Sequence, residues 1–135
     1  MVQLPSDRVL LALDGDNLAD LEELMPLVYG ICARFKSIES VVKPPAMKLT
    51  KLIAQVTCSP AQVGQLHRDN VDVQACDLDV GQSFVACIRT DRPDELFSTV
   101  VTDASGVALG LVYSSTESIV AAIESLRGVY YSRSR

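Results

Sequence analysis

The last residues of the chain carry the pattern best suited to binding an anion. Side chains alternate between the two faces of a β-strand, so a strand here would separate the arginines from the serines. One face would carry Arg133 and Arg135, and the opposite face Ser132 and Ser134. Two guanidinium groups about 7 Å apart along a strand can hold a phosphate or a carboxylate. A solvated basic terminus without a ligand is the alternative that the pattern leaves open.

Residues with metal-binding or nucleophilic chemistry are few and widely spaced. His67 is the only histidine and falls in a stretch predicted to be a polar loop. Asp14-Gly15-Asp16 lacks the further oxygen ligands of a calcium loop, so a turn after a strand is favoured there. The four cysteines form no C-x-x-C pair and lie at Cys32, Cys58, Cys76 and Cys87. The pattern therefore assigns no metal ligand and no catalytic residue.

The composition indicates one folded domain with an aliphatic core. The chain has 135 residues, of which 48% are hydrophobic and 5% aromatic. A net charge of −5 argues against a general nucleic-acid binder. No apolar run reaches the roughly 18–20 residues of a membrane span. Because the cysteines are dispersed and the start of the chain lacks the basic segment of a signal peptide, we expect a cytoplasmic protein with reduced thiols.

The elements that would position the basic residues are predicted from the C-terminal half of the chain. Phe84 to Thr90 and Leu96 to Thr102 have the pattern of strands. Asp103 to Gly106 has the composition of a hairpin loop, in which Gly106 can adopt a positive φ. The return strand, Val107 to Tyr113, is almost entirely apolar, which indicates burial on both of its faces.

A helix is predicted after the return strand. Ser114 and Glu117 have the spacing of a capping box at its start, and Gly128 is expected to end it with a left-handed cap. Val129 to Ser134 is the predicted final strand. Residues 81–135 are therefore expected to form a small, mostly antiparallel sheet with one packed helix.

The N-terminal segment, residues 1–80, is predicted to be largely helical after one short strand at Arg8 to Asp14. From Leu18 to Phe35 apolar residues recur every three or four positions, which predicts a helix interrupted by a proline. Met47 to Val56 is predicted as a second helix, whereas Ala61 to Gln82 is polar and predicted mainly as loop. The fold class predicted for the whole chain is α+β.

Three stretches of the C-terminal half carry recognisable motifs: Arg89 to Asp103, Ala108 to Ser115 and Arg127 to Arg135. The last contains an aromatic residue followed by Ser-Arg-Ser-Arg, shortly after a predicted helix. Together they resemble the phosphoribosyl-AMP cyclohydrolase domain of the fungal-type multifunctional histidine-biosynthesis protein, in which that run is a hallmark. The resemblance covers residues 87–135 and suggests that this region is the N-terminal part of such a domain.

The resemblance implies hydrolytic opening of the adenine ring of 1-(5-phosphoribosyl)-AMP by a zinc-bound water, with magnesium as a second metal. It implies that Ser132, Arg133, Ser134 and Arg135 contact this phosphoribosyl nucleotide substrate. In the family the run continues into Leu-Trp-x-Lys-Gly, an Asp-Cys-Asp-x-Asp magnesium motif and two cysteines of the zinc site. Because these motifs do not follow in the sequence, we expect the zinc and magnesium ligands to be absent from this chain and the chain alone to be inactive.

A short run at Cys76-Asp77-Leu78-Asp79 is similar to the magnesium motif of the family. It precedes the matched region, whereas the family motif follows it, so we interpret the similarity as a coincidence.

Two functions are compatible with the sequence. The first is a fragment of a phosphoribosyl-AMP cyclohydrolase, and the alternative is a non-catalytic module for nucleotide or anion binding or for dimerisation. Members of the family form homodimers with the active site near the subunit boundary, so the resemblance implies a homodimer here. No nucleic-acid or membrane partner is expected.

Overall fold

The computed structural model describes residues 5–21, 23–47 and 50–132. The chain divides into two compact units, Met1–Leu78 and Asp79–Arg135. None of the helices in these described ranges has the length and apolar character that a membrane span requires.

The first unit is built on a parallel four-stranded sheet with the strands in sequential order, β1-β2-β3-β4. The strands are β1 (Leu10–Asp14), β2 (Gly30–Arg34), β3 (Lys51–Gln55) and β4 (Val71–Gln74). A helix, α1 (Pro60–Arg68), connects β3 to β4. Short 3-10 helices lie at Ser6–Arg8, Gly15–Leu21, Met25–Leu27 and Ile38–Ser40.

One face of this sheet forms the hydrophobic core of the first unit. Ile31 and Ala33 on β2 and Leu52 and Ala54 on β3 are fully buried on that face. They pack with buried side chains from the connecting segments: Leu18, Met25, Phe35, Met47 and Leu66. The opposite face carries polar and half-buried residues, so the sheet has one apolar and one mainly polar side.

The prediction of a largely helical N-terminal segment is wrong. Met47 to Val56, predicted as a helix, instead contains the buried strand β3. The apolar stripe from Leu18 to Phe35 is divided between two 3-10 helices and β2. The short apolar runs in β2 and β3 match part of a helical stripe as well as they match a strand, so periodicity alone does not separate the two.

The polar stretch from Ala61 to Gln82, predicted mainly as loop, contains most of α1 and all of β4. Ser59 begins α1 with a capping box: its hydroxyl accepts from the Gln62 N–H at 3.4 Å, and Gln62 Oε1 accepts from the Ser59 N–H at 2.8 Å. Pro60 stands at the first helical position, where its missing N–H costs nothing. His67 therefore lies in the last turn of a helix and not in a loop.

The second unit contains two helices and a hairpin. These are α2 (Val80–Cys87), β5 (Phe97–Thr102), β6 (Ala108–Ser114) and α3 (Thr116–Ser125). The hairpin is antiparallel, and α2 packs against α3. The loop between β5 and β6 lies where it was predicted, and Gly106 adopts a positive φ of 83° there. The Asp103 carboxylate accepts hydrogen bonds from the N–H groups of Ser105 and Val107 at 2.8 and 3.0 Å.

Several details of the second unit differ from the prediction. The expected strand from Phe84 to Thr90 is largely the helix α2, which Asp79 caps through the Gln82 N–H at 2.9 Å. The cap of α3 is Ser115, one residue after Ser114, and the left-handed residue that ends α3 is Leu126, not Gly128. The return strand β6 is mainly exposed: its first four residues are exposed on both faces, and only its last three, up to Ser114, are half-buried or buried.

The α+β class is confirmed, whereas the description of the sheet holds only in part. The second unit has the predicted antiparallel hairpin, and the first unit has a parallel sheet that was not predicted.

Candidate functional site

The predicted anion-binding segment begins beside strand β6. The Tyr131 N–H donates to the Tyr113 carbonyl oxygen at 2.8 Å, in an isolated antiparallel bridge between the two residues. Ser132 follows directly and is the last described residue. Arg133, Ser134 and Arg135 lie outside the described residues, so their assignment as an anion site stays a prediction.

A cation and a carboxylate are fixed next to this bridge. The Arg92 guanidinium carbon lies 4.8 Å from the centre of the Tyr113 ring, a cation–π distance. Arg92 also donates to both carboxylate oxygens of Asp94, from Nε at 2.9 Å and from the terminal nitrogen at 2.8 Å. The hydrogen bond to Asp94 is the main cause that raises the pKa of Arg92, so the guanidinium stays charged.

The loop that carries Arg92 is held by side chain to backbone hydrogen bonds. Thr90 Oγ1 donates to the Leu96 carbonyl oxygen at 2.9 Å and accepts from the Arg92 N–H at 3.3 Å. Asp94 Oδ1 accepts from the Leu96 N–H at 3.3 Å, and Leu96 itself is buried. Asp and Thr favour such local bonds in turns, which is why this sequence forms a defined loop before β5.

An apolar groove of about 650 Å³ lies within the second unit. Its lining includes Phe84 and Ile88 from the α2 region, Phe97 from β5 and Ile123 from α3. Val129 and Tyr130, the residues just before the bridge, complete the groove. The groove is suited to an apolar or aromatic group, and the chain passes from it directly to Ser132.

A second cavity, of about 410 Å³, lies within the first unit at the carboxyl ends of β2, β3 and β4. Its lining includes Arg34, Gln55, Thr57, Gln74 and Asp77. The sequence analysis missed this cavity because the strands whose ends form it were predicted as helix or loop. Polar residues placed directly after short apolar runs were the available signal.

The described residues do not form a metal site. No three His, Cys, Asp or Glu side chains come together in ranges 5–21, 23–47 and 50–132. The four cysteines are free thiols, of which Cys76 is exposed and the other three are half-buried. Burial, together with the nearby charge of Asp77, raises the pKa of the Cys58 thiol.

Comparisons with known proteins find relatives for part of the chain, whereas no family model and no solved structure matches it. The histidine biosynthesis trifunctional protein of Saccharomyces bayanus is 67% identical over 54 residues, which are 40% of this chain and 7% of the relative. The protein of that name from Saccharomyces cerevisiae is 62% identical over 48 residues, 36% of this chain and 6% of the relative.

A histidine biosynthesis bifunctional protein of Schizosaccharomyces pombe is 47% identical over 58 residues, which are 43% of this chain and 14% of the relative. The matched region spans between 5% and 14% of the length of the curated relatives. Over 35–43% of its length, the chain is therefore homologous to histidine biosynthesis multifunctional proteins.

Proposed function

We propose that this chain takes part in histidine biosynthesis, and that its second unit is the N-terminal part of a phosphoribosyl-AMP cyclohydrolase domain. The relatives carry histidine biosynthesis in their names and are 47–67% identical over the matched residues. The finer assignment, to the ring-opening step, rests on the Tyr-Ser-Arg-Ser-Arg run at residues 131–135 and on the groove that precedes it.

The observation that carries the proposal is the continuity between the apolar groove and the basic run. Val129 and Tyr130 line the groove, Tyr131 is hydrogen-bonded to β6, and Ser132 to Arg135 follow at once. A phosphoribosyl nucleotide needs an apolar surface for its flat base and cationic donors for its phosphates. This segment offers both within seven residues, from Val129 to Arg135.

Each part of the segment has a proposed role. The groove holds the adenine ring, and Arg133 and Arg135 bind phosphate oxygens through charge-assisted hydrogen bonds. Ser132 and Ser134 donate further hydrogen bonds to the same ligand. Arg92 pairs with Asp94 through Nε and one terminal nitrogen and stacks on Tyr113, so we assign it a supporting role for strand β6, to which Tyr131 is hydrogen-bonded.

Zinc, in the cyclohydrolase family that the sequence resembles, supplies an activated water by lowering its pKa to about 7. The described residues do not fit such a metal, because they bring no three suitable donors together. We therefore propose that this chain binds the nucleotide. We assign no step of the ring opening to a metal held by the described residues.

The experiment is a calorimetric titration of the purified chain with phosphoribosyl-AMP. We expect saturable binding, and roughly tenfold weaker binding or worse in Arg133→Ala and in Arg135→Ala, because each loses a charge-assisted hydrogen bond. Arg68→Ala, on α1 of the first unit, removes the same charge elsewhere and should leave the affinity unchanged. Equal affinity in Arg133→Ala and the unmodified chain, or no saturable binding at all, would refute the proposal.

A dimerisation module is the second candidate, favoured by one face of the β5–β6 hairpin. Val100, Leu109 and Leu111 are 60%, 68% and 62% exposed, and Val100 lies opposite Leu111 in the register. Burying this face against a second copy would remove an unusual exposed apolar patch from water. Light scattering should then show a dimer that Leu111→Lys converts to a monomer, and a monomer in the unmodified chain would exclude it.

A further inference from the structure

Four polar residues end the four strands of the first unit and form one row across its sheet. The register pairs Asp14 with Arg34, Arg34 with Gln55, and Gln55 with Gln74. Residues in register on neighbouring strands point to the same face of a sheet, with about 4.8 Å between strands. The row therefore places one cation and two primary amides side by side at the carboxyl edge.

A cavity opens at this same edge. It has a volume of about 410 Å³, within the range of small-molecule sites, and Arg34, Gln55 and Gln74 all contribute to its lining. In barrels of parallel strands, whose strands also follow one another in sequential order, ligands bind outside the carboxyl ends of the strands. The position of the cavity and the polarity of its lining thus agree with a binding site.

Arg34 is the available cation of the cavity. Two lysines of the first unit are already engaged in ion pairs. Lys36 pairs with Asp16 at 3.4 Å, and Lys51, which lies opposite Gly30 at the other end of β2, pairs with Asp72 at 3.3 Å. The Arg34 guanidinium, by contrast, forms no ion pair or hydrogen bond with any residue that the structure describes, although Asp14 is its neighbour in the register. A guanidinium group in this state has its full set of donors for a ligand.

The two glutamines are oriented by a hydrogen bond between them. Gln55 Nε2 donates to Gln74 Oε1 at 3.1 Å, and the Cys32 thiol donates to the same oxygen at 3.5 Å. These two bonds fix the amide of Gln74 so that its Nε2 donors remain available. Gln55 keeps its Oε1 as an acceptor. The pair therefore offers donors and an acceptor in a fixed arrangement beside Arg34.

We propose that this cavity binds a sugar phosphate. Arg34 and the Gln74 Nε2 group donate to the phosphate, and Gln55 Oε1, Thr57 and the Asp77 carboxylate accept hydrogen bonds from sugar hydroxyls. Asp77 lines the cavity and accepts no hydrogen bond from the described residues, so it disfavours a bare anion and favours a ligand that also brings O–H donors.

Cys76 supplies a direct test, because it lines the cavity and is exposed. The full chain is treated with iodoacetamide, and the alkylation rate of each cysteine is followed by mass spectrometry while ribose 5-phosphate is added. We expect ribose 5-phosphate to slow alkylation of Cys76 in a saturable way and to leave Cys87, in the second unit, unaffected. No slowing at Cys76 would overturn the proposal.

Variants and simpler ligands separate the contributions. Arg34→Gln should raise the concentration needed for half-protection roughly tenfold or more, whereas Arg68→Gln should not change it. Thermal unfolding of Arg34→Gln at the same temperature as the unmodified chain shows that the variant folds. If inorganic phosphate protects Cys76 at the same concentration as ribose 5-phosphate, the proposed contacts with the sugar hydroxyls are wrong. If ribose 5-phosphate fully protects Cys76 in Arg34→Gln, the proposed role of the Arg34 cation is wrong.

Discussion

The Tyr131 N–H donates to the carbonyl oxygen of Tyr113 at 2.8 Å, and this bond aligns the start of the basic run with strand β6. The bond belongs to the backbone, so it depends on the N–H of residue 131 and not on the tyrosine ring. The side chain and the backbone can therefore be tested separately.

Tyr131→Pro should detach residue 131 from strand β6, because proline has no N–H to donate. We expect faster hydrogen exchange in residues 126–132 and a loss of roughly 1 kcal/mol in the free energy of unfolding. Tyr131→Ala keeps the N–H and is the matched control for loss of the ring. If both variants show the same exchange, the hydrogen bond from residue 131 does not hold residues 126–132 in place.

Leu126→Gly should stabilise the second unit. Leu126 has φ 54° at the end of α3 and is 90% exposed, so its side chain contributes almost no buried area. Glycine removes the strain of the left-handed conformation, and we expect a gain of about 1 kcal/mol in the free energy of unfolding, measured by urea denaturation. Leu126→Ala retains a Cβ and should give little of this gain. A less stable glycine variant would contradict the prediction.

Gly15→Ala should destabilise the first unit. A Cβ at this position would lie 2.5 Å from the Phe35 ring and 3.0 Å from the Arg34 carbonyl oxygen. Relieving this overlap requires a shift of a buried ring, which costs about 1–3 kcal/mol. Gly110→Ala in β6 is the control, because nothing lies within 4 Å of the added atom there. Unfolding midpoints that fall equally in both variants would argue against the packing explanation.

Alkylation of Cys58 should respond to pH and to Asp77. Burial first, and the charge of Asp77 second, raise the pKa of the Cys58 thiol. A raised pKa leaves less thiolate at a given pH, so alkylation of Cys58 should be slow at neutral pH. It should accelerate only as the pH rises above the ordinary pKa of a cysteine thiol. Asp77→Asn removes one cause, lowers the pKa and should speed the reaction at pH 8.

Asp20→Asn removes the same charge from an exposed position of the first unit and serves as the control for that measurement. A Cys58 rate that is identical in the unmodified chain and in Asp77→Asn would show that the carboxylate does not act on the thiol.

Local signals predicted the elements whose chemistry is contained in a few adjacent residues. The strand at Leu10–Asp14, the hairpin loop ending at Gly106 and the helix α3 were all expected, although the residues that cap α3 are each displaced from the predicted ones. The parallel sheet was not expected. Its strands β3 and β4 are only five and four residues long, and a pattern this short does not by itself distinguish a strand from part of a helix or a loop.

The candidate sites divide in the same way. The basic run lies within five residues, from Tyr131 to Arg135, and the sequence alone indicates an anion site there. The cavity of the first unit combines Arg34, Gln55 and Gln74, which only the register of three strands brings together. Predicting this cavity from the sequence would have required predicting the three strands, and periodicity did not identify them.

The sequential order of the parallel sheet has a consequence for synthesis on the ribosome. The strands begin at Leu10, Gly30, Lys51 and Val71, at intervals of 20, 21 and 20 residues, and each pairs with the strand made just before it. Each strand can therefore pair with the edge of a strand that has already left the ribosome, before any later strand has been synthesised. The strand order of the first unit is therefore compatible with folding in the direction in which the chain is translated.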